Sequence, residues 1–351
     1  MTDLVPIFDG HNDTLLRLYQ SSGDVEAEFL QGSAKGHIDL PRARTGGFFG
    51  GMFAMFPPPM KKTNFDPDPK ARQYDVPLPP ELAQNDALVS TIGMASILFR
   101  IERAAPDAFA VCRSAQDIRA AMSRGAMAAV FHIEGCEAID PDLAALDLLY
   151  AAGLRSLGIV WSRPNAFGFG VPFRFPSTPD IGPGLSDAGK ELVRACNRLK
   201  VMIDLSHLNE AGFRDVAALS DAPLIATHSN VHAISPHARN LTNSQLSAIR
   251  DSGGLVGLNF AAGFLRDDGH MNANTDIEVM VRHVDAMLEA LGEDGVALGS
   301  DFDGAVIPKP IGDVAGLPKL IEAFAARGYG KELIEKIAWK NWVAMLEKQI
   351  G

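Results

Sequence analysis

Six residues able to bind metal or move protons fall at the ends of short apolar runs: His11 and Asp13 in IFDGHND, Glu134 in VFHIEG, His207 in IDLSH, His228 in IATHS and Asp301 in ALGSDFDG. Three imidazoles and two carboxylates supply ligands for two borderline-soft divalent ions if one carboxylate is shared. Glu134 suits the shared position, because a carboxylate can offer one oxygen to each of two ions about 3.5–4 Å apart. His11 and Asp13 lie two apart, and the side-chain period of a strand sends both to one side. A metal pair acidifies a water and polarises a carbonyl, which is what amide hydrolysis at neutral pH requires. Asp301 is then the group to take the water's proton and return it to the leaving amine; a further metal ligand is the competing role. Each histidine alone reads equally well as a hydrogen-bonded structural residue, so the joint pattern carries the argument.

Such groups converge only if the strand ends do. Eight short apolar runs recur along the chain: 5–9, 48–56, 126–133, 154–161, 201–205, 223–227, 254–260 and 295–299. Most are followed by a stretch with helical periodicity, the pattern of parallel strands with crossover helices, and eight strands close a (β/α)8 TIM barrel. Ser186, Asn209 and Thr242 precede helical stretches as N-caps. In such barrels the catalytic groups sit at the C-terminal strand ends, facing one mouth. His132, two before Glu134, would lie one layer deeper as a core or supporting histidine. Cys136 shows no local sign of activation, and spacing does not place His232 or His237. Two segments interrupt the rhythm. Residues 57–80 hold eight prolines and residues 162–184 are rich in Gly, Pro and Phe; loops this long are more often functional covers than surface decoration.

The 351 residues fit one barrel with insertions, spanning 1–351 as a single expected domain. A net charge of −11 argues against nucleic acid, which needs clustered Lys and Arg. No run approaches the ~18 apolar residues of a membrane span. MTDLVPIFDGHND shows no basic region before an apolar stretch, and three scattered cysteines make no disulfide framework. The expected setting is the cytoplasm.

As an ordered set, DGHND, IEG, NRLKVMIDLSH, APLIATHS and GSDFDG resemble the membrane (renal) dipeptidase family, through most of the chain. The resemblance implies that His11 and Asp13 bind one zinc, that His207 and His228 bind the other, that Glu134 bridges both and that Asp301 handles the proton. It also implies that Arg239, in HARNLT, holds the substrate's terminal carboxylate, for which a guanidinium is suited; without it Arg239 reads as an ordinary surface residue. One departure concerns the fourth strand end, where the family has a histidine thought to contact the substrate and this chain has Trp161. An indole can donate only through its ring N–H. A homodimer is expected by family analogy alone.

The leading expectation is therefore a metallodipeptidase cleaving L-Xaa-D-Xaa or L-Xaa-L-Xaa dipeptides with a hydroxide activated by two zinc ions. A related metal hydrolase of lactams, N-acyl amino acids or phosphotriesters is the alternative. Those barrels usually carry a carboxylated lysine at a strand end, where this chain has none. A non-catalytic barrel would have lost a ligand, yet the full set is present.

Overall fold

The computed structural model describes residues 4–59 and 71–351. Its strands are β1 (Ile7–Asn12), β2 (Phe48–Met55), β3 (Tyr74–Val76), β4 (Phe109–Cys112), β5 (Met127–Glu134), β6 (Leu154–Gly158), β7 (Phe173–Phe175), β8 (Met202–Asp204), β9 (Ile225–Ser229), β10 (Leu255–Asn259) and β11 (Val296–Gly299). Eight of them form the barrel in the order β1-β2-β5-β6-β8-β9-β10-β11, each pair parallel. Closure between β11 and β1 rests on a few bonds: Asp301 N donates to His11 O at 3.0 Å and Asp13 N to Phe302 O at 2.8 Å, while Asp9 accepts from Ser300 N at 2.6 Å. The barrel strands are almost wholly buried, as expected of a parallel sheet covered on both faces.

Each of the eight expected runs overlaps a barrel strand, but the ends move. The first strand continues to Asn12, so His11 is inside it, and the run ending at Trp161 stops pairing at Gly158. Strand β4 was not expected. Of the eight residues of β5, β6 pairs only with the half from Phe131 to Glu134 and β4 takes the half from Met127 to Val130. Four residues of FAVC carry too little pattern to announce an edge strand.

The helices start where side chains can cap them. Ser186 accepts from Gly189 N, Asn209 from Gly212 N, and Thr242 forms a capping box with Gln245. Below the barrel, the last helix, Asn341–Ile350, brings Trp342 to donate its ring N–H to Leu298 O at 2.7 Å. A Cβ on Gly10 would lie 2.5 Å from the Trp342 ring, so only glycine lets β1 pass over this plug.

At the opposite mouth the two long loops meet. Strand β3 from the first pairs antiparallel with β7 from the second, Tyr74 opposite Phe175 and Val76 opposite Phe173. Residues 60–70 of the first loop lie outside the described residues.

Candidate active site

Glu134, at the end of β5, divides its two oxygens. Oε1 lies 3.0 Å from His207 Nε2 and 3.4 Å from His228 Nε2. Oε2 lies 3.7 Å from His11 Nε2, which is 3.4 Å from Asp13 Oδ2. The rings of His11 and His228 are stacked at 3.8 Å, and the Nε2 atoms of His207 and His228 are 3.2 Å apart. All five residues, with Asp301, are buried and come together at the C-terminal mouth.

The opposite nitrogen of each ring sets its tautomer. His207 Nδ1 is 2.8 Å from Ser162 Oγ and His228 Nδ1 is 2.8 Å from Thr227 Oγ1. With Nδ1–H donated to those hydroxyls, both Nε2 lone pairs face Glu134. His207 and Asp301 hold left-handed backbone, φ 67° and 59°. Such conformations cost of order 1–3 kcal/mol each in a non-glycine residue, and their clustering here fits a site held in place by its surroundings.

Asp301 Oδ2 accepts from Asn259 Nδ2 at 2.9 Å. On its other side a Cβ on Gly304 would collide with Asp301 Oδ1 and Asp13 Oδ2, so glycine leaves these oxygens open to a ligand. Burial raises the Asp301 carboxyl above its ordinary value, with His11 pulling the other way and Asp13 adding to the rise.

The donor set fits bound metal. Neither ring nitrogen of His11 nor Asp13 Oδ1 has a hydrogen-bond partner among the described residues, although all are buried. Burial works against charge on His11, yet Glu134, Asp13 and Asp301 outweigh it and lift the imidazole to about 10. The carboxylates around His11 therefore favour positive charge at this point.

Arg239 is not the surface residue that its sequence context suggests. It is buried, with Nη1 donating to Ser229 Oγ and Nη2 to His228 O, each at 2.9 Å, and Nε has no partner among the described residues. Burial pulls its guanidinium down to about 10, opposed by Asp301, Asp204 and Glu134.

A cavity of about 410 Å³ opens above this floor, reaching Asp13, Glu134, His207 and Asp301. Its wall includes Phe56, Trp161, Phe173, Phe264 and Met271. Trp161 lies beyond the end of β6, its ring 4.9 Å from Phe56 and 5.8 Å from His207. Behind it Arg163 is fully buried, donating to Glu137 Oε1 at 2.7 Å and to Pro57 O at 3.1 Å.

The remaining candidates separate cleanly. His132 lies below the site, bonded to Ser156 Oγ at 2.9 Å. Cys136 is buried with its thiol pushed well up by that burial, hence inert. His232 bonds Ser177 O, and His237 packs 4.7 Å from Phe264 behind the cavity wall. Sequence reasoning missed Ser162, Thr227, Asp204 and Asn259, because a neutral or acidic residue inside an apolar strand, or in the loop just past one as for Ser162, gives no sign of which ligand it holds.

Residues 1–350 match the membrane dipeptidase family, peptidase family M19. The chain belongs to this family of metallodipeptidases. The M19 chain is 50% identical to a metallopeptidase from Rhodobacter sphaeroides whose crystal structure holds a phosphinate mimic of the dipeptide L-Ala-D-Ala. The two structures agree with a TM-score of 0.96 over 99% of this chain and 100% of that one. A Klebsiella pneumoniae relative, described only as an uncharacterized protein in the pqqA 5′ region, is 49% identical over 68% of this chain and 88% of its own length. A probable dipeptidase, PvdM, from Pseudomonas aeruginosa shares the fold at 22% identity and a TM-score of 0.79, over 98% of this chain and 95% of that one.

Proposed function

We propose that the M19 chain hydrolyses dipeptides, L-Xaa-D-Xaa and L-Xaa-L-Xaa alike, using two zinc ions bridged by Glu134. The observation that carries this reading is the division of Glu134, one oxygen toward His207 and His228 and the other toward His11, whose Nε2 also faces Asp13. When bound, such a pair polarises the scissile carbonyl and lowers the pKa of water toward neutrality.

The chain's own groups do the rest. Arg239 binds the free carboxylate, and its attachment to His228 O keeps that charge at a fixed distance from the metal ligands. Asp301 takes the proton of the attacking water on Oδ1, with Oδ2 fixed by Asn259, and delivers it to the leaving amine. Its buried, upward-shifted carboxyl suits the second half of that exchange. Phe56, Trp161 and Phe173 exclude water and receive apolar side chains. A cavity of this size suits two residues, and the loops above it hinder longer peptides. The presence of a dipeptide mimic in the Rhodobacter sphaeroides relative supports the substrate class.

The test is amino-acid release from L-Ala-D-Ala and L-Ala-L-Ala by the zinc-loaded protein, beside chelated protein, with N-acetyl-D-Ala and a lactam as competitors. Turnover of both dipeptides that disappears with chelator supports the reading. Zinc-loaded protein that cleaves only the N-acyl compound or the lactam would overturn it, and the wall around Trp161 would be the place to look for the cause.

A further inference from the structure

Asp204, at the end of β8, is 1% exposed and lies beneath the site, not in it. Its Oδ1 accepts from Ser206 N at 2.9 Å and Thr227 N at 2.8 Å, and its Oδ2 accepts from Thr227 Oγ1 at 2.5 Å. The Thr227 hydroxyl has one proton. Once that proton goes to Asp204, the oxygen can only accept at His228 Nδ1, 2.8 Å away. The anion thus acts through the hydroxyl to hold His228 with its Nε2 lone pair upward.

The same carboxylate faces a second histidine. His11 Nδ1 and His132 Nε2 are buried and have no hydrogen-bond partner among the described residues. His11, His132 and Asp204 form a cluster in which one polar atom of each lies within 4.8 Å of the others, and His132 Nε2 is 3.9 Å from Asp204 Oδ2. These atoms make no direct bonds with one another, and a separation of 3.9 Å is one that a single water can bridge. The protons also balance. With His132 Nδ1–H donated to Ser156 Oγ, Nε2 is left as an acceptor. His11 must carry its proton on Nδ1 if Nε2 is to bind metal. A water would accept from His11 Nδ1 and donate to His132 Nε2 and Asp204 Oδ2, which satisfies all three groups.

We propose that Asp204 is a positioning residue shared by His11 and His228, acting on His228 through the Thr227 hydroxyl and on His11 through one internal water completed by His132. This rests on the reading that His11 and His228 serve different ions of a pair. One carboxylate below the barrel mouth then sets the tautomer of one histidine in each half of the site. Supporting partners of this kind are typically worth about 10–100-fold in metal affinity.

The experiment is competition titration of zinc against a chromophoric chelator, with the Co²⁺-substituted absorption spectrum as second readout. It compares wild type, Asp204→Asn, Thr227→Val and His132→Leu. Thr227→Val should weaken one binding step, His132→Leu the other, and Asp204→Asn both, about 10-fold or more each, while the metal-free melting temperatures do not follow this split. A crystal structure should show water between His11 Nδ1, His132 Nε2 and Asp204 Oδ2. Wild type that takes up two zinc ions, with Asp204→Asn doing so equally tightly, would overturn this inference alone, as would a dry gap or a third metal in the water's place. Wild type that takes up no metal would overturn the metal-pair reading and this inference with it.

Discussion

Below the cavity, Glu134 and His228 project from barrel strands bonded along their length to neighbours, and each imidazole of His207 and His228 has a hydroxyl fixing its far nitrogen. Around the mouth, Phe56, Trp161 and Phe173 come from loops. There the fixings join one loop to another, among them Arg163 tying Glu137 to Pro57, three residue pairs between β3 and β7, and Tyr74 Oη donating to Gly269 O at 2.6 Å. The floor must hold reacting groups to within a fraction of an ångström, since misplacement of about 1 Å can cost about 100-fold in rate. The wall decides what fits, a task that tolerates adjustment. Rate and selectivity therefore belong to different parts of the chain and can be altered separately.

The largest separation is expected at Asp301. Asp301→Asn keeps the bond geometry to Asn259 possible but removes the proton acceptor, so kcat should fall about 10³-fold with KM changed less than about threefold, the behaviour of a lost general base. Steady-state kinetics with L-Ala-D-Ala, together with zinc content, checks this. A variant that retains kcat, or one whose loss is explained by loss of a zinc ion, would move Asp301 from proton transfer to ligation.

The wall can be attacked from behind. Arg163 and Glu137 form a buried pair, and burial raises the Glu137 carboxyl despite Arg163 drawing it down. Arg163→Met leaves that acid unpaired, and breaking one partner of a buried pair costs about 3–5 kcal/mol. The guanidinium also lies 5.4 Å from the Phe56 ring and 5.6 Å from Trp161, so the wall should shift. Denaturant unfolding should show the stability loss, and KM should rise more than kcat falls. Adding Glu137→Leu should restore most of the stability without restoring KM. Equal effects on KM and kcat would mean that floor and wall are one mechanical unit.

The same division explains what the sequence displayed. Glu134, His207 and His228 were legible because a chemical residue closing an apolar run has few other reasons to be there, and eight such runs implied the barrel that brings them together. Arg239 was legible only through resemblance, since HARNLT has no periodicity, and its burial depends on Ser229 and His228 O ten and eleven residues away. The pairing of β3 with β7 was invisible for a related reason. Two three-residue strands, one in a proline-rich segment, acquire their structure from each other. Asp204 looked like any strand residue, because its importance lies in two histidines it reaches only indirectly.

His283 gives the smallest effect and links the two regions directly. On the helix Ile277–Leu291, its Nδ1 accepts from Val231 N at 3.2 Å, at the start of the loop carrying Arg239, and its Nε2–H donates to Leu265 O at 2.9 Å, beside the wall residue Phe264. The Val231 bond needs the neutral ring, because a protonated Nδ1 cannot accept. Burial holds its pKa down at about 4, with the Leu265 bond opposing and Arg282 adding to the fall. The unfolded chain binds this proton near pH 6.5 and the folded chain only near pH 4, so the unfolded state holds more protons in between. The stability contribution is whole above pH 6.5 and is lost as pH falls toward 4, by about 2–3 kcal/mol at pH 4.5 from 1.36 kcal/mol per unit. Chelator-treated wild type and His283→Gln, unfolded by urea at pH 7 and pH 4.5, should differ by that amount in their pH dependence, the variant losing less. If both proteins respond alike, His283 does not join the loop carrying Arg239 to the wall, and the two regions are independent there as well.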